Sequence, residues 1–288
     1  MAAVAGRART ELRPGRRVSL LHVQPPARAV LRVLLVHGAA ASMGQFDAQV
    51  DALAQRQDTS LLAWDWLGCG ASEKPREWSA YSPPELLADV EAALALLCAD
   101  GGDAPVLIVA HSYGCSLVVE LLRARPALQP AALVLMSTSD GREVLAQLGI
   151  FALPVLALRA LQPALTVAFC RGAFHPRTDA AIVARGRAVS AANDMWVCRA
   201  LYRQMRWATP NAASAVRCPV LAVHGDDDQV ISAASGRAWL ARFGGASAFV
   251  GVETASHMCM MEQPAAVSAL LRRLADNLVA RRAPLAGF

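Results

Sequence analysis

Lysine is almost missing from this chain. Lys74 is the only one, so arginine carries the net charge of +5. That bias reads as codon usage rather than selection for an anionic partner. Arginines gather at Arg7, Arg9, Arg13, Arg16 and Arg17, but no interleaved aromatics or nucleic-acid motif accompany them. A solvated arm is expected there, and no nucleic acid as partner. Also missing is any C-x-x-C pair. Cys69, Cys98, Cys115, Cys170, Cys198, Cys218 and Cys259 are odd in number and scattered, which reads as reduced core thiols rather than a disulfide or zinc framework. No asparagine opens an N-x-S/T acceptor, and the start lacks the apolar run of roughly 7–15 residues that a secretory signal needs. A cytoplasmic location is the expectation. Neither H-E-x-x-H nor G-x-x-x-x-G-K-S/T occurs, so no metal and no cofactor is expected.

Hydrophobic residues make up 55% of the chain, yet much of that is alanine, and no apolar run is long and clean enough to span a bilayer. The best stretch, Leu148 to Cys170, carries Arg159 near its middle and is broken by Pro154 and Pro163. The 288 residues suit one α/β domain with an insertion. Short β-branched or leucine-rich runs alternate with turns and helix-period stretches, the pattern of a mostly parallel sheet flanked by helices. Buried strands are expected at Val33 to Val36, Leu61 to Trp64, Val106 to Ala110, Leu133 to Met136 and Val220 to His224. Arg17 to Val23 and the run from Val30 are expected to form an antiparallel hairpin turning at Pro25 and Pro26. Ser82-Pro83-Pro84-Glu85 reads as a capping box opening a helix whose apolar face is Leu86, Leu87, Val90, Leu94 and Leu97. Between about Asp140 and Arg217 the rhythm breaks into helical apolar stretches. The expected organisation is therefore a core over residues 1–138, a helical cap insertion over 139–217, and the rest of the core over 218–288.

The most informative segment is Val106 to Ala110 running into His111-Ser112-Tyr113-Gly114, with helical periodicity from Cys115 to Leu122. A small-x-Ser-x-Gly turn between strand and helix is a nucleophile elbow: small residues on either side let the turn pack closely while the serine is pushed out at the strand's carboxyl end. The leading small residue is Ala110 instead of glycine. A serine hydroxyl is barely ionised at neutral pH and needs a base and an orienting carboxylate.

With these residues the chain resembles the α/β-hydrolase superfamily over nearly its whole length, which implies a mostly parallel eight-stranded sheet flanked by helices, with a helical cap. Leu34-Leu35-Val36-His37-Gly38-Ala39-Ala40 is similar to the family's His-Gly segment. By that resemblance the backbone N–H groups of Ala39 and Tyr113 form the oxyanion hole, and His37 braces the loop. Asp65-Trp66-Leu67-Gly68-Cys69-Gly70-Ala71-Ser72 resembles the D-x-x-G-x-G-x-S loop under the active site. Its Gly68-x-Gly70 imitates a dinucleotide fingerprint, but the third glycine is missing where Glu73 stands. The family order of serine, acid, histidine places the acid and base after Ser112. Of His175, His224 and His257, only His257 stands in a segment that resembles the catalytic-histidine loop. The G-x-x-D pattern selects Asp228 from Asp226, Asp227 and Asp228, with Asp140 as the alternative acid.

The resemblance thus implies a serine hydrolase with Ser112 as nucleophile, His257 as base and Asp228 as acid. Serine excludes the aspartate-nucleophile chemistry of dehalogenases and epoxide hydrolases of this fold. The insertion holds Phe151, Leu153, Val155, Leu156, Leu158, Leu161, Leu165, Val167 and Phe169. A cap built from them favours a small hydrophobic ester as substrate and contact with a lipid surface; the same residues also fit plain packing of the cap onto the core. The motifs look most like small α/β-hydrolase domain-containing lipases and esterases. A related lipid-acyltransferase subgroup carries His-x₄-Asp where this chain has His257 followed by Glu262. A small-molecule receptor on the same fold is the other reading, and turnover of a short ester separates the two.

Overall fold

Successive residues of a strand point to opposite faces, so a strand apolar at nearly every position must lie between two layers of helices. The computed structural model, which describes residues 6–25 and 27–288, arranges the apolar runs in that way. One sheet contains β1 (Ala8–Arg13), β2 (Arg16–Val23), β3 (Leu31–Val36), β4 (Thr59–Trp64), β5 (Val106–His111), β6 (Ala132–Met136), β7 (Val220–Gly225) and β8 (Ser247–Val252), in the order β1-β2-β4-β3-β5-β6-β7-β8. β1 and β2 pair antiparallel with each other, and β2 with β4; the remaining pairings are parallel. Each strand expected from the apolar runs is present.

The helices are α1 (Asp47–Ala54), α2 (Pro83–Leu97), α3 (Tyr113–Ala124), α4 (Arg142–Gln147), α5 (Val155–Ala173), α6 (Ala180–Ala191), α7 (Met195–Gln204), α8 (Pro210–Ala215), α9 (Ala233–Leu240), α10 (Cys259–Glu262) and α11 (Pro264–Val279). Along β3, Leu34 and Val36 enter a core shared with α2, α3, α8 and α9, while Val33 and Leu35 enter one shared with α1, α10 and α11. Between β6 and β7 the described chain holds helices and no strand.

Three N-terminal expectations need correction. The strand after Arg16 does not fold back onto β3. It lies between β1 and β4, because β3 is buried along its length and both its edges are taken by β4 and β5; Pro26, one of the two expected turn residues, lies outside the described residues. The arginine cluster is only partly a solvated arm: Arg7, Arg9 and Arg17 are exposed, but the other two are held. Arg13 and Arg16 both reach the Asp89 carboxylate on α2, Arg13 at 2.7 Å. Arg16 and Asp89 are only 5% and 2% exposed. Finally, α2 starts at Pro83 as expected, but without a capping box. The Ser82 N–H already donates to the Ser79 carbonyl at 3.0 Å, the Ser82 side chain makes no cap bond, and Glu85 turns to Arg13 at 2.5 Å.

Removing one partner of a buried ion pair leaves the other charge uncompensated. Asp89→Ala is expected to lower the unfolding free energy by about 3–5 kcal/mol. Asp47→Ala, at the half-exposed Arg7–Asp47 pair, should cost under about 1 kcal/mol. Urea unfolding of the two variants checks the contrast.

Candidate active site

Ser112 stands at the junction of β5 and α3 with φ 52° and ψ −125°. A positive φ on an L residue costs roughly 1–3 kcal/mol and persists only where the surroundings fix it. Here the Ser112 N–H donates to the Met136 carbonyl on β6, and the Cys115 N–H returns to the Ser112 carbonyl, both at 2.9 Å. The end of β3 presses against the turn: a Cβ added to Gly114 would lie 2.5 Å from the His37 carbonyl oxygen. That contact is why the second position after the serine must be glycine.

The three residues expected to act together are together. His257 Nε2 lies 3.1 Å from Ser112 Oγ, and its Nδ1 lies 2.9 Å from Asp228 Oδ2. The Asp228 Oδ1 accepts the N–H groups of Val230 and Ile231, each at 2.9 Å. Burial alone would raise this carboxyl's pKa, but the neighbouring His257 and hydrogen bonds from His224, His257 and the Ile231 N–H outweigh it and hold the group well below the usual carboxylate range. Asp140, the alternative acid, is occupied elsewhere. It pairs with Arg142 at 3.0 Å and accepts that residue's N–H.

Ala39 and Tyr113 border the same cavity as Ser112. The Tyr113 N–H opens α3 and so has no acceptor within the helix. His37 fixes the Ala39 peptide: its Nδ1–H donates to the Gly38 carbonyl at 2.6 Å, its Nε2 accepts the Trp66 N–H at 2.9 Å, and its ring stacks on Trp66. In a trans peptide the N–H opposes the C=O, so anchoring the Gly38 oxygen turns the Ala39 N–H away from His37. Asp65 ties the neighbouring loops, accepting from the Met43 N–H at 2.7 Å and the Ala71 N–H at 2.9 Å. The Gly68-x-Gly70 loop is thus tied through Asp65 to the segment that follows Ala39, and it does not itself line the cavity.

A family model described as serine aminopeptidase, S33, matches residues 26–264. The chain belongs to that hydrolase family, within the α/β-hydrolase superfamily. Protein ABHD8 of Mus musculus is 26% identical over 278 residues, covering 93% of this chain and 61% of its own length, and the Homo sapiens form is 26% identical over 251 residues, covering 85% and 55%. The chain therefore spans little more than half the length of these curated relatives. Among solved structures, an esterase from Thermogutta terrifontis superposes with a TM-score of 0.76 at 20% identity, covering 95% of this chain and 99% of its own. An esterase from Exiguobacterium antarcticum gives 0.76 at 14%, covering 96% and 100%. At such identities the likeness establishes the fold.

Several supports of the S33-family site carry no motif in the sequence. The His257 carbonyl accepts His111 Nε2–H at 3.0 Å and Ser137 Oγ–H at 3.1 Å, so the ends of β5 and β6 hold the histidine loop. Glu262, whose spacing from His257 set this chain apart from the acyltransferase pattern, is a buried brace. It accepts the His175 N–H at 2.6 Å, Thr178 Oγ1–H at 2.7 Å and the Ser256 N–H at 2.8 Å. His224, read as structural, donates from Nε2 to the Ile231 carbonyl at 2.9 Å and stands 3.3 Å from Asp228 Oδ2. Gly225 beside it lets the histidine loop cross the end of β7, since an added Cβ would come within 2.2 Å of the Ser256 carbonyl oxygen.

Ser112 and His257 open into a cavity of about 920 Å³, whose apolar lining includes Ile150, Phe151, Leu165, Phe169, Tyr202 and Trp207. Eight of the nine apolar residues named in the insertion, all but Val167, divide into three sets. Phe151, Leu165 and Phe169 line this cavity; Leu158 is fully buried against Met195 and Cys198, with Leu153 and Val155 packed beside it; Leu156 and Leu161 face outward. Among the described residues the only carboxylate at the cavity wall is Asp47, already paired with Arg7. Among the described residues no group of His, Cys, Asp and Glu is arranged to hold a metal ion.

Burial drives the His37 pKa from the ordinary 6.5 to about 4, and burial followed by the nearby His257 takes His111 well below 6.5. Both rings are neutral when folded and take up protons on unfolding, so the unfolded state binds more protons once pH drops below about 6.5. Their contribution is full above that pH and is lost as pH falls toward 4. Urea midpoints measured from pH 7 to 4 should decline, and His37→Gln should flatten the decline.

Proposed function

We propose that this protein is a serine esterase that cleaves hydrophobic carboxylic esters, including lipid esters, through an acyl-enzyme. The observation that carries the reading is the unbroken chain from Ser112 Oγ to His257 at 3.1 Å and from His257 to Asp228 at 2.9 Å. Ser112 Oγ attacks the ester carbonyl while His257 Nε2 takes its proton. The carbonyl oxygen, now an oxyanion, is met by the N–H groups of Ala39 and Tyr113; one such donor is worth about 10²–10³ in turnover. The tetrahedral intermediate collapses, and His257 returns the proton to the departing alcohol. Water, deprotonated by His257, then attacks the acyl-enzyme and releases the acid. Asp228 remains ionised throughout, holding the Nδ1–H tautomer and stabilising the imidazolium as it forms.

The cavity supports ester over peptide chemistry. An aminopeptidase must seat a charged α-amino group, and among the described residues the one carboxylate at the wall, Asp47, is paired with Arg7. Water is the favoured acceptor over a second lipid, because Glu262 in this chain is spent on holding the histidine loop. A receptor that keeps the fold without turnover is the reading the experiments must exclude.

Ser112→Ala is expected to lower hydrolysis of a p-nitrophenyl ester by about 10⁴-fold or more and to abolish labelling by a fluorophosphonate probe. Asp228→Asn should cost roughly 10³–10⁴-fold, whereas Asp140→Ala should leave the rate near wild type. Absence of both labelling and turnover in the unaltered protein, with tight binding of a small molecule, would establish the receptor. A leucine p-nitroanilide should not be cleaved.

A second measurement reads the cavity. Turnover across p-nitrophenyl esters of increasing acyl length should rise into the medium-chain range. Leu165→Trp, which adds bulk to the apolar lining of the cavity, should depress the longer esters while sparing the acetate. Equal loss at every length would show that the acyl chain lies elsewhere.

A further inference from the structure

The outward side of a surface helix is ordinarily polar, and α5 breaks that rule. Leu156 is 78% exposed, Phe169 42% and Leu161 40%, with Ala160, Ala164 and Ala168 exposed around them. The charge on this surface has one sign. No aspartate or glutamate occurs between Val144 and Thr178, and the exposed charges of α5 and α6 are Arg159, Arg171, Arg185 and Arg187. Asp179, the nearest acid in sequence, is committed to capping α6 through the Ala181 N–H at 2.7 Å, and Asp47, the acid whose carboxyl feels the Arg185 charge, is already paired with Arg7 at 2.5 Å. Among the described residues none of these four arginines is in an ion pair, unlike Arg13, Arg16, Arg32, Arg56 and Arg76 elsewhere in the chain.

We propose that this face of α5 and α6 docks on the surface of an anionic phospholipid bilayer. Exposed leucine and phenylalanine among unpaired arginines match the two components of such a surface, acyl chains below and phosphates at the head-group level. A second copy of the chain matches it poorly. A two-fold contact would set this patch against itself, bringing arginines together with no acid to neutralise them. The attachment is peripheral, since no helix among the described residues is long and apolar enough to cross a membrane. The active-site cavity reaches the same face: Ala168 and Phe169 of α5 and Arg185 and Ala188 of α6 belong to its wall. A lipid ester could then pass from the bilayer to Ser112 without crossing bulk water. That last step rests on the esterase reading; the docking itself does not.

The test is co-sedimentation of the full chain with sucrose-loaded vesicles of phosphatidylcholine alone or mixed equally with phosphatidylglycerol. The wild type should bind the mixed vesicles, release at high salt, and bind phosphatidylcholine alone far more weakly. Leu156→Asp with Leu161→Asp should reduce binding by about tenfold or more. Reversing Arg159, Arg171 and Arg187 to Glu should cost roughly fivefold or more per position and remove the preference for phosphatidylglycerol. Unchanged circular dichroism and melting temperature certify that these surface variants are folded, and their turnover of a short soluble ester should stay near wild type. Ser112→Ala should bind vesicles as the wild type does, so that loss of the esterase reading and loss of the docking are told apart. Failure of the wild type to bind mixed vesicles, equal binding to both vesicle types, or undiminished binding of the Asp variants overturns the proposal. So does a concentration-dependent dimer that Leu156→Asp dissolves, which would make this face a contact between copies.

Discussion

A carboxylate shut off from water must find donors for both its oxygens, and at Asp228 the chain supplies them from two places. The N–H groups of Val230 and Ile231 come from its own loop and His257 from the loop after β8, while the His224 ring at the end of β7 stands 3.3 Å from Oδ2. This requirement fixes much of the site. Because Asp228 follows β7, the histidine must come from the adjoining strand's loop, and the serine must stand near enough for one imidazole to bridge the two. The parallel order β5-β6-β7-β8 meets that condition, since the carboxyl ends of neighbouring parallel strands lie side by side.

Three buried histidines outside the proposed triad share one task. His37, His111 and His224 stand at the ends of β3, β5 and β7, and each donates a ring N–H to a main-chain carbonyl of a loop in the site: Gly38, His257 and Ile231 respectively. At His37 and His111 a neutral imidazole suits the position because it reaches farther than a serine hydroxyl and introduces no charge to desolvate. The arrangement also stabilises the site against the strain at Ser112. Its neighbours are locked before any substrate arrives, so the geometry does not have to be assembled on binding.

Much of this was legible in the sequence. The continuous apolar runs of β3 to β7 allow only a buried parallel sheet, and the elbow at Ser112 is a local pattern whose meaning depends on five adjacent residues. Ala39, Asp228 and His257 were legible only through resemblance, since nothing local distinguishes Asp228 from Asp226 or Asp227. The N-terminal hairpin was misread because pairing partners are chosen by competition for the edges of β3, which no local pattern records. The capping box failed for a similar reason: Glu85 found Arg13, far away in sequence, and Ser82 had already spent its N–H.

The sequence by itself determined the class of chain: the strands' burial, the strained turn at one serine, and the absence of motifs for metal or nucleotide. The tertiary structure alone decided which carboxylate meets His257, that Asp140 turns to Arg142 instead, that Glu262 is a brace, and which apolar residues of the insertion line the cavity or face outward. The physical reason is the range of the forces involved. Periodicity and turn chemistry act between neighbours and are written in consecutive residues, whereas a hydrogen bond across a buried site depends on two loops far apart in sequence arriving within about 3 Å of each other.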